Sequence, residues 1–505
     1  MSRICLCLTS STLSENLKIL EENRKYIDIA ELRADCLEPD ERLLMRRFPD
    51  MAGLPIILSI RRTIDGGNYV GGDGSRITLF AKGLAYADAN RRRNFAYVDL
   101  ENDLYVPSLE EAARTYRTRI IRSFYNTEGV DEDLPEKIRK LQRVGDELVK
   151  VSQKPKSLDD VIKVYRAARE TAKISKILRC TGEYGINTAI LTELLGSEIS
   201  YVYPDNKADN EPYQLGAREL AETYRYRELN KETKIYAVSG YPLDKSEIPR
   251  LFNTVFGIEN INSVFIPLQA DSVHSLMRFA DETGINGISI SSPFNEDILP
   301  YLNHVSVEVD SIGACNTIVR GTHGWMGYNT DAPGFTDSFL EFYGRRDLRR
   351  QRVTIIGAGR VARAVAAEVY RLKGKALILN RHPARARRLA ELYKFNWAGL
   401  DSRGAELMEK YSDIIVQTSP VGSFPEINED PIDFYEFNGN ETVMDVIYNP
   451  EKTAYLKRAE AAGCRILNGY DMLYRQTRHQ YRHFMNKEFP PSLISRVGLY
   501  LMNDG

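Results

Sequence analysis

Short apolar runs alternate with stretches of helical periodicity from residue 3 to residue 226. The runs are ICLCL (4–8), YIDIAELR (26–33), PIILSI (55–60), AYVDLE (96–101), RIIRSF (119–124), ELVKVS (147–152), ISKILRC (174–180) and ISYVY (199–203). Eight β/α units in succession predict a (β/α)8 barrel, whose chemistry gathers where strands end and βα loops begin. Polar residues concentrate at those ends. Glu31, Arg33 and Asp35 close the second run, Arg61 and Arg62 the third and Glu101 the fourth, while Lys150 lies in the sixth among apolar neighbours.

The pattern changes after a charged linker at 225–234. Strand-like IYAVSG (235–240), SVFIPL (263–268) and GISIS (287–291), with helices between them, predict a small α/β lobe. A second lobe begins with RVTIIGAGRVARAVAAEVYRLKGKALILNR (352–381), in the order strand, glycine turn, helix, strand. Gly357 permits a tight turn, Gly359 lets a diphosphate approach the backbone, and small Ala362 allows close helix–strand packing. An NAD site would carry Asp or Glu at the end of the second strand; Asn380 and Arg381 stand there instead, with Arg385 one turn on, and guanidinium suits a 2′-phosphate. The stretch therefore predicts a Rossmann-like NADP site, against the plainer reading of a βαβ unit with a solvated basic helix start. Strands at 413–419 and 442–448 follow, and a last helix at 472–484 is expected to pack back across the cleft.

Composition adds exclusions. A chain of 505 residues exceeds one core, and the expected parts are 1–228 (barrel), 233–345 (substrate lobe), 346–470 (NADP lobe) and 471–505 (C-terminal helices). A net charge of −2 offers no bulk attraction for nucleic acid or anionic membrane. The start MSRICLCLTSSTL lacks a basic segment followed by an apolar one, and no apolar run approaches a membrane span, so a cytoplasmic protein is expected. Six cysteines are scattered without zinc or disulfide spacing, which predicts reduced core thiols, Cys5 and Cys7 on one strand face. His479 and His483 have i, i+4 spacing without an HExxH glutamate, so no metal is expected; tyrosine-rich YRYRE (224–228) reads as a domain linker.

A lysine inside a barrel strand is costly to leave charged, so its pKa is expected to fall toward neutrality and make the amine a nucleophile for carbonyls. The alternative is that Lys150 points outward or pairs with Glu147 or a barrel carboxylate. The arginines at the barrel mouth suit a carboxylate-bearing, polyhydroxylated substrate.

ELRAD (31–35), SIR (59–61), DLE (99–101), IIRSFYN (120–126), VKVSQKP (149–155) and GEYGINTAILTELLGS (182–197) resemble the type I 3-dehydroquinate dehydratases in order and spacing, across residues 1–228. The resemblance implies that Lys150 forms a Schiff base with the substrate ketone and that Glu31, Arg33, Arg61 and Gln214 contact substrate, with Asp65 where a glutamate supports a catalytic histidine. That histidine position is Tyr125, and no histidine occurs before His274. Ala189 stands where an arginine would bind the carboxylate, and Asn210 and Tyr213 replace small loop residues.

The second half is similar to shikimate dehydrogenase through GYPLDKS (240–246), SPFNEDILPYLN (292–303), IGACNTIV (312–319), GYNTDAPGF (327–335), GAGRVARAV (357–365), DVIYNPEKT (445–453) and NGYDMLYRQ (468–476). The family reduces 3-dehydroshikimate with NADPH, a lysine and an aspartate holding the reacting hydroxyl and managing its proton. Asp331 matches the aspartate; Ser246, Ser291, Asn316, Tyr448 and Gln476 match substrate contacts, and Val361 and Gly469 match cofactor contacts. The lysine position is Asn295, which carries neither charge nor a transferable proton. Ile248 replaces a substrate-loop serine, and Arg360 replaces a common third glycine, adding a potential phosphate ligand. The implied fold is α/β, a (β/α)8 barrel followed by a two-lobed dehydrogenase. The implied function is the dehydroquinate-to-shikimate segment of aromatic biosynthesis with weakened chemistry. A degenerate ligand-binding scaffold or sensor, and an NADP oxidoreductase acting on an altered polyol, are the other readings.

Overall fold

The computed structural model describes residues 2–85, 90–143, 146–205, 213–241, 243 and 246–490. Its backbone divides into two compact units, Met1–Ile285 and Asn286–Gly505. No helix among the described residues is long and apolar enough to cross a membrane.

The first unit opens with eight parallel strands, β1 (Arg3–Leu8), β2 (Ile29–Arg33), β3 (Ile56–Ser59), β4 (Tyr97–Glu101), β5 (Arg119–Asn126), β6 (Leu148–Gln153), β7 (Lys176–Cys180) and β8 (Ile199–Val202). Strands β1 to β7 pair consecutively, β8 pairs with β1, and an isolated bridge between Lys176 and Ser197 links the remaining edge, giving a nearly closed barrel. The strand period of two decides what fills it. One layer is apolar: Cys5, Ile29, Ile57, Tyr97, Ile121, Leu148, Ile177 and Ile199 pack together around the axis. Two residues further along, the strands carry Cys7, Glu31, Ser59, Asp99, Ser123, Lys150, Arg179 and Tyr201. The barrel is thus an apolar floor under a polar layer, and the polar layer is where a ligand can be read.

The chain continues in the same unit with parallel strands β9 (Lys234–Gly240) and β10 (Ser263–Gln269). Helix α1 (Leu158–Glu170), capped by Ser157 on the Asp160 amide, packs on α2 (Val273–Thr283), with the rings of Tyr165 and Phe279 edge-on at 5.4 Å.

The second unit begins with β11 (Gly287–Ile290), β12 (His304–Val305), β13 (Thr317–Gly321) and β14 (Gly324–Tyr328). β13 runs antiparallel to both β11 and β14, and β12 is parallel to β14. Helix α3 (Asp331–Tyr343) leads into six parallel strands, β15 (Arg352–Ile356), β16 (Lys375–Leu379), β17 (Asn396–Ala398), β18 (Ile414–Gln417), β19 (Thr442–Asp445) and β20 (Arg465–Leu467). Their spatial order, β17-β16-β15-β18-β19-β20, is the doubly wound order that reverses direction between its first and fourth strands, where dinucleotides bind. Alternate residues feed two cores: Val353, Ile355, Ile378 and Val416 on one face, Ile356, Leu377, Leu379 and Ile415 on the other.

Helices α4 (Arg360–Arg371) and α5 (Pro383–Tyr393) follow β15 and β16, and α6 (Gly469–Met485) closes the described chain. α6 starts before the expected residue 472 because Asn468 caps it, its side chain accepting the Tyr470 amide. It crosses α3 at Gly334, where a Cβ would lie 3.1 Å from the Gln476 nitrogen, and it packs on β11 and β13 through Gln480, which donates to Ser289 at 2.9 Å and Thr317 at 3.1 Å. The two histidines at i, i+4 have separate partners: His479 meets Asp337 at 2.9 Å, and the His483 ring stacks on Tyr328 at 3.8 Å.

Candidate active sites

In the barrel, β6 carries Lys150 into the polar layer, 1 % exposed. Its Nζ donates to Asp99 Oδ2 at 2.8 Å and lies 3.4 Å from both Glu31 oxygens, above the Tyr201 ring at 4.4 Å. The expectation of a near-neutral amine is overturned. Burial alone favours the uncharged form, but Asp99 and Glu31 outweigh it and hold the lysine pKa well above its ordinary value. Lys150 therefore pairs with barrel carboxylates, and it can attack a carbonyl only after handing on a proton. Asp99 Oδ2 is the nearest acceptor.

Tyr125, on β5, donates its hydroxyl to the same Asp99 Oδ2 at 2.8 Å, beneath the Arg61 guanidinium, which lies 4.3 Å from the ring centre. Burial pushes the phenol above the usual tyrosine range, so it does not act as a base near neutral pH. Arg61 also reaches Glu31 at 3.2 Å, whereas Arg33 forks onto Asp35 at 2.9 and 2.7 Å. Asp65 pairs with Arg62 at 2.7 Å. Among the described residues, several buried polar atoms at this end of the barrel have no hydrogen-bond partner: Asp99 Oδ1, Ser123 Oγ, Tyr201 Oη and Arg61 Nε, with Gln214 Oε1 likewise unpaired in the segment after β8. Asp99, Ser123, Tyr201 and Arg61 are thereby left with capacity to meet polar groups of a ligand. Ala189, at the position where the resemblance puts an arginine, accepts the Ser200 hydroxyl on its carbonyl at 2.7 Å. Tyr213 is exposed with φ of 65°, and Asn210 lies outside the described residues. Cys5 and Cys7 are buried free thiols whose pKa values burial raises, which makes them poor nucleophiles.

Glu31 has a measurable signature. Burial would raise its pKa, but Lys150, Arg61 and Arg33 prevail and bring it from 4.5 to about 2. A depressed folded pKa contributes stability that is present above the unfolded value and is lost as pH falls through the folded one. Wild-type protein is thus expected to lose stability between pH 4.5 and about 2, with a steeper acid limb than Glu31→Gln, as read by chemical unfolding midpoints. Equal acid limbs would show that Glu31 is not held by its cationic neighbours.

In the nucleotide lobe the glycine turn follows β15. Gly357 has φ of 117° and presses against Thr418, whose hydroxyl donates to the Ile356 carbonyl at 2.6 Å; a side chain at 357 would collide there. Gly359 caps α4, and nothing lies within 4 Å of where its Cβ would stand. Val361 follows on the first turn, half-buried, and Ala362 is fully buried against the sheet. At the end of β16, Asn380 Oδ1 accepts the His382 amide at 2.8 Å, leaving Arg381 and Arg385 exposed at the start of α5. An open backbone at a helix N-terminus with two exposed guanidiniums one strand over fits a dinucleotide bearing a 2′-phosphate.

Asp331 opens α3 and is 1 % exposed. Its Oδ1 accepts from Asn316 Nδ2 at 2.9 Å, and Asn316 is fixed in turn because its Oδ1 accepts the Thr330 amide at 2.9 Å. Its Oδ2 accepts from the Arg360 guanidinium. Arg360 therefore turns toward a carboxylate rather than standing free as the expected phosphate ligand. Asn295 Nδ2 donates to the Ile290 carbonyl at 2.9 Å and the Cys315 carbonyl at 3.0 Å, so both its hydrogens serve the main chain. Gln476 is half-buried, at the crossing with the first turn of α3. Tyr448 stands 6.0 Å from Tyr470, and Gly469 donates its amide to the Ile447 carbonyl at 3.0 Å where its Cα packs against Val446 too closely for a side chain. Ser291 is half-buried at the exit of β11. In the first unit, Ser246 Oγ accepts the Ile248 amide at 3.3 Å, where helix Ile248–Ile258 begins. The sequence reading missed two participants, Asp99 as the partner of Lys150 and Arg360 as the partner of Asp331. The aspartate was visible in AYVDLE at the alternate position pointing inward; the guanidinium's direction had no sequence signal.

Residues 4–231 match the type I 3-dehydroquinase family, 238–318 the shikimate dehydrogenase substrate binding domain and 342–421 the shikimate/quinate 5-dehydrogenase family. A bifunctional 3-dehydroquinate dehydratase/shikimate dehydrogenase of Arabidopsis thaliana, chloroplastic, is 26 % identical over 98 % of this chain and 84 % of its own length. The NADP(+) shikimate dehydrogenase of Carboxydothermus hydrogenoformans is 34 % identical over 49 % of this chain and 90 % of its own. A crystal structure of shikimate dehydrogenase in complex with NADP+ aligns with a TM-score of 0.50 at 27 % identity, over 53 % of this chain and 96 % of that one. The chain belongs to the shikimate dehydrogenase family and carries, ahead of it, a type I 3-dehydroquinase domain of the same pathway.

Proposed function

We propose that this protein acts on the dehydroquinate-to-shikimate segment at reduced rates: the barrel engages 3-dehydroquinate through Lys150, and the second half reduces 3-dehydroshikimate with NADPH. The division of labour follows 1–228 for the barrel, 233–345 and 346–470 for the two dehydrogenase lobes, and 471–505 for the C-terminal part, of which 491–505 lie outside the described residues. The observation that carries the reading is the pair of buried reactive side chains, Lys150 and Asp331, each hydrogen-bonded in a polar setting. In the barrel, Lys150 first passes a proton to Asp99; the neutral amine then attacks the ketone carbon, and the ketone oxygen leaves the resulting carbinolamine as water to give the imine. The step that removes a carbon-bound proton has no histidine to perform it. In the second half, NADPH supplies the hydride. Ser291, Asn316, Tyr448 and Gln476 hold the hydroxylated ring, and Asp331 orients the reacting oxygen. The six free thiols suit a reducing compartment, and we place the protein in the cytoplasm with small-molecule partners rather than nucleic acid or membrane.

One observation favours a second reading, a ligand-binding scaffold without turnover. Both hydrogens of Asn295 are occupied by main-chain carbonyls and the Tyr125 phenol is a donor to Asp99, so position 295 has no charged group to exchange a proton and position 125 has no base to accept one. Purified full-length protein is expected to bind NADPH more tightly than NADH, and Arg381→Ala with Arg385→Ala is expected to erase about tenfold or more of that preference, the scale of lost charge-assisted hydrogen bonds. Both steady-state rates are expected at least about 10²-fold below those of an intact relative, the size of a missing general base. Rates equal to an intact enzyme would refute the weakened chemistry; failure to bind NADPH would refute the reduction.

A further inference from the structure

We infer that Arg360 occupies the cationic place beside Asp331 that Asn295 has left, so that the charge pair of the reduction site comes from the nucleotide turn. The inference rests on the reduction proposed above. Arg360 is the first residue of α4, immediately after Gly359, and is only partly exposed. A guanidinium at this position has phosphate as its obvious ligand, yet it forms an ion pair with Asp331 Oδ2. The other oxygen of Asp331 is taken by Asn316, so the carboxylate is held on both sides. One turn further along α4, Arg363 Nη2 pairs with Glu296 Oε1 at 3.0 Å, directly beside Asn295 in sequence. Two arginines at i and i+3 thus reach from one helix turn to the two segments that bear the reaction's expected lysine and aspartate.

The replacement is partial in a way that chemistry defines. Guanidinium supplies a fixed positive charge and directional N–H donors, so it can hold Asp331 and oppose negative charge on a carbonyl oxygen. It does not give up a proton as an amine does. Arg360 is accordingly a positioning residue for Asp331, and the proton that completes the new hydroxyl does not come from it. A lysine placed at 295 alone would arrive beside a carboxylate already paired with a guanidinium, and would gain little.

The test is a cycle of Arg360→Gly, Arg360→Lys, Asn295→Lys and Asn295→Lys/Arg360→Gly in the full chain, read as kcat/KM for 3-dehydroshikimate and as NADPH affinity by fluorescence titration. Arg360→Gly is expected to lower kcat/KM about tenfold or more, the scale of a lost charged hydrogen bond, with NADPH affinity within about twofold and Arg360→Lys largely retaining activity. The double variant is expected to exceed the product of the single effects and to gain an alkaline limb in its pH–rate profile, absent from the wild type, as the amine titrates. If Arg360→Gly weakens NADPH instead and leaves the substrate terms unchanged, Arg360 is a phosphate ligand and the inference is wrong. If Asn295→Lys alone recovers as much as the double variant, it is also wrong. Should the wild type show no turnover, the reduction fails as a function, and the same cycle is read as shikimate affinity in the presence of NADP+. A tenfold loss on Arg360→Gly then supports the pairing, and unchanged affinity overturns it.

Discussion

Borohydride added to the full-length protein with 3-dehydroquinate is expected to attach the ligand irreversibly to Lys150, and Lys150→Met to abolish that adduct completely. The expectation follows from the polar layer of the barrel. The amine is buried, aimed at the axis, and within 2.8 Å of a carboxylate that can take its proton. Trapping reads imine formation alone, so it separates the retained nucleophile from the lost base. Mass spectrometry of a tryptic digest checks it; an unmodified Lys150 alongside measurable 3-dehydroquinate binding would sink the Schiff-base reading. Lys150→Met carries a second effect. It leaves Asp99 buried without its cation and Glu31 with Arg61 as its remaining ion-pair partner, and removing one partner of a buried pair costs about 3–5 kcal/mol. The unfolding midpoint of the variant should fall accordingly, and a check of its folded state belongs with the adduct assay.

The largest gain is expected from Tyr125→His with Ala189→Arg, which should raise dehydration of 3-dehydroquinate about 10²-fold or more, the contribution of a positioned general base. At 125 the phenol uses its only proton as a donor to Asp99, so it cannot accept one from carbon at neutral pH. An imidazole there would keep Asp99 as the group that orients it while presenting a free nitrogen. At 189, where the resemblance puts an arginine for the substrate carboxylate, the side chain ends at Cβ and supplies no cation. The rise in absorbance of the conjugated product measures the rate. No increase in a folded double variant would shift the blame to bulk at the mouth, with Tyr213 the first candidate because it is exposed there in a left-handed backbone conformation.

The eight barrel strands were legible because each is a short β-branched run whose alternate residues face a common axis, and they appear at the expected places. The doubly wound lobe was legible through Gly357 and the two-sided apolar runs around it. The strands that escaped notice are short or polar: β17 (Asn396–Ala398) and β20 (Arg465–Leu467) have three residues each, too few to show a period. The hairpin of β13 and β14 was hidden inside a stretch read only as a motif, although Gly321 and Gly324 flank its turn. Lys150 could be found as an inward lysine, but its charge state could not. That depends on Glu31 and Asp99, which are 119 and 51 residues away and meet it only once the barrel closes. Arg360 escaped for the same reason. Its position implied phosphate, and only the fold brings Asp331 within its reach.

The packing of α1 on α2 has a practical outcome for anyone wishing to study the halves apart. Tyr165 rests on Phe279, Arg166 and Arg169 converge on Glu282, the Leu158 amide bonds to Asp271 at 2.9 Å, and Glu183 accepts from Gln269 at 2.6 Å. A polypeptide stopped in the charged linker would therefore expose an aromatic edge and strand two guanidiniums without their shared acid. Cleavage of that linker by a protease should leave the fragments travelling together on a sizing column, and a barrel produced alone should be the more prone to aggregate.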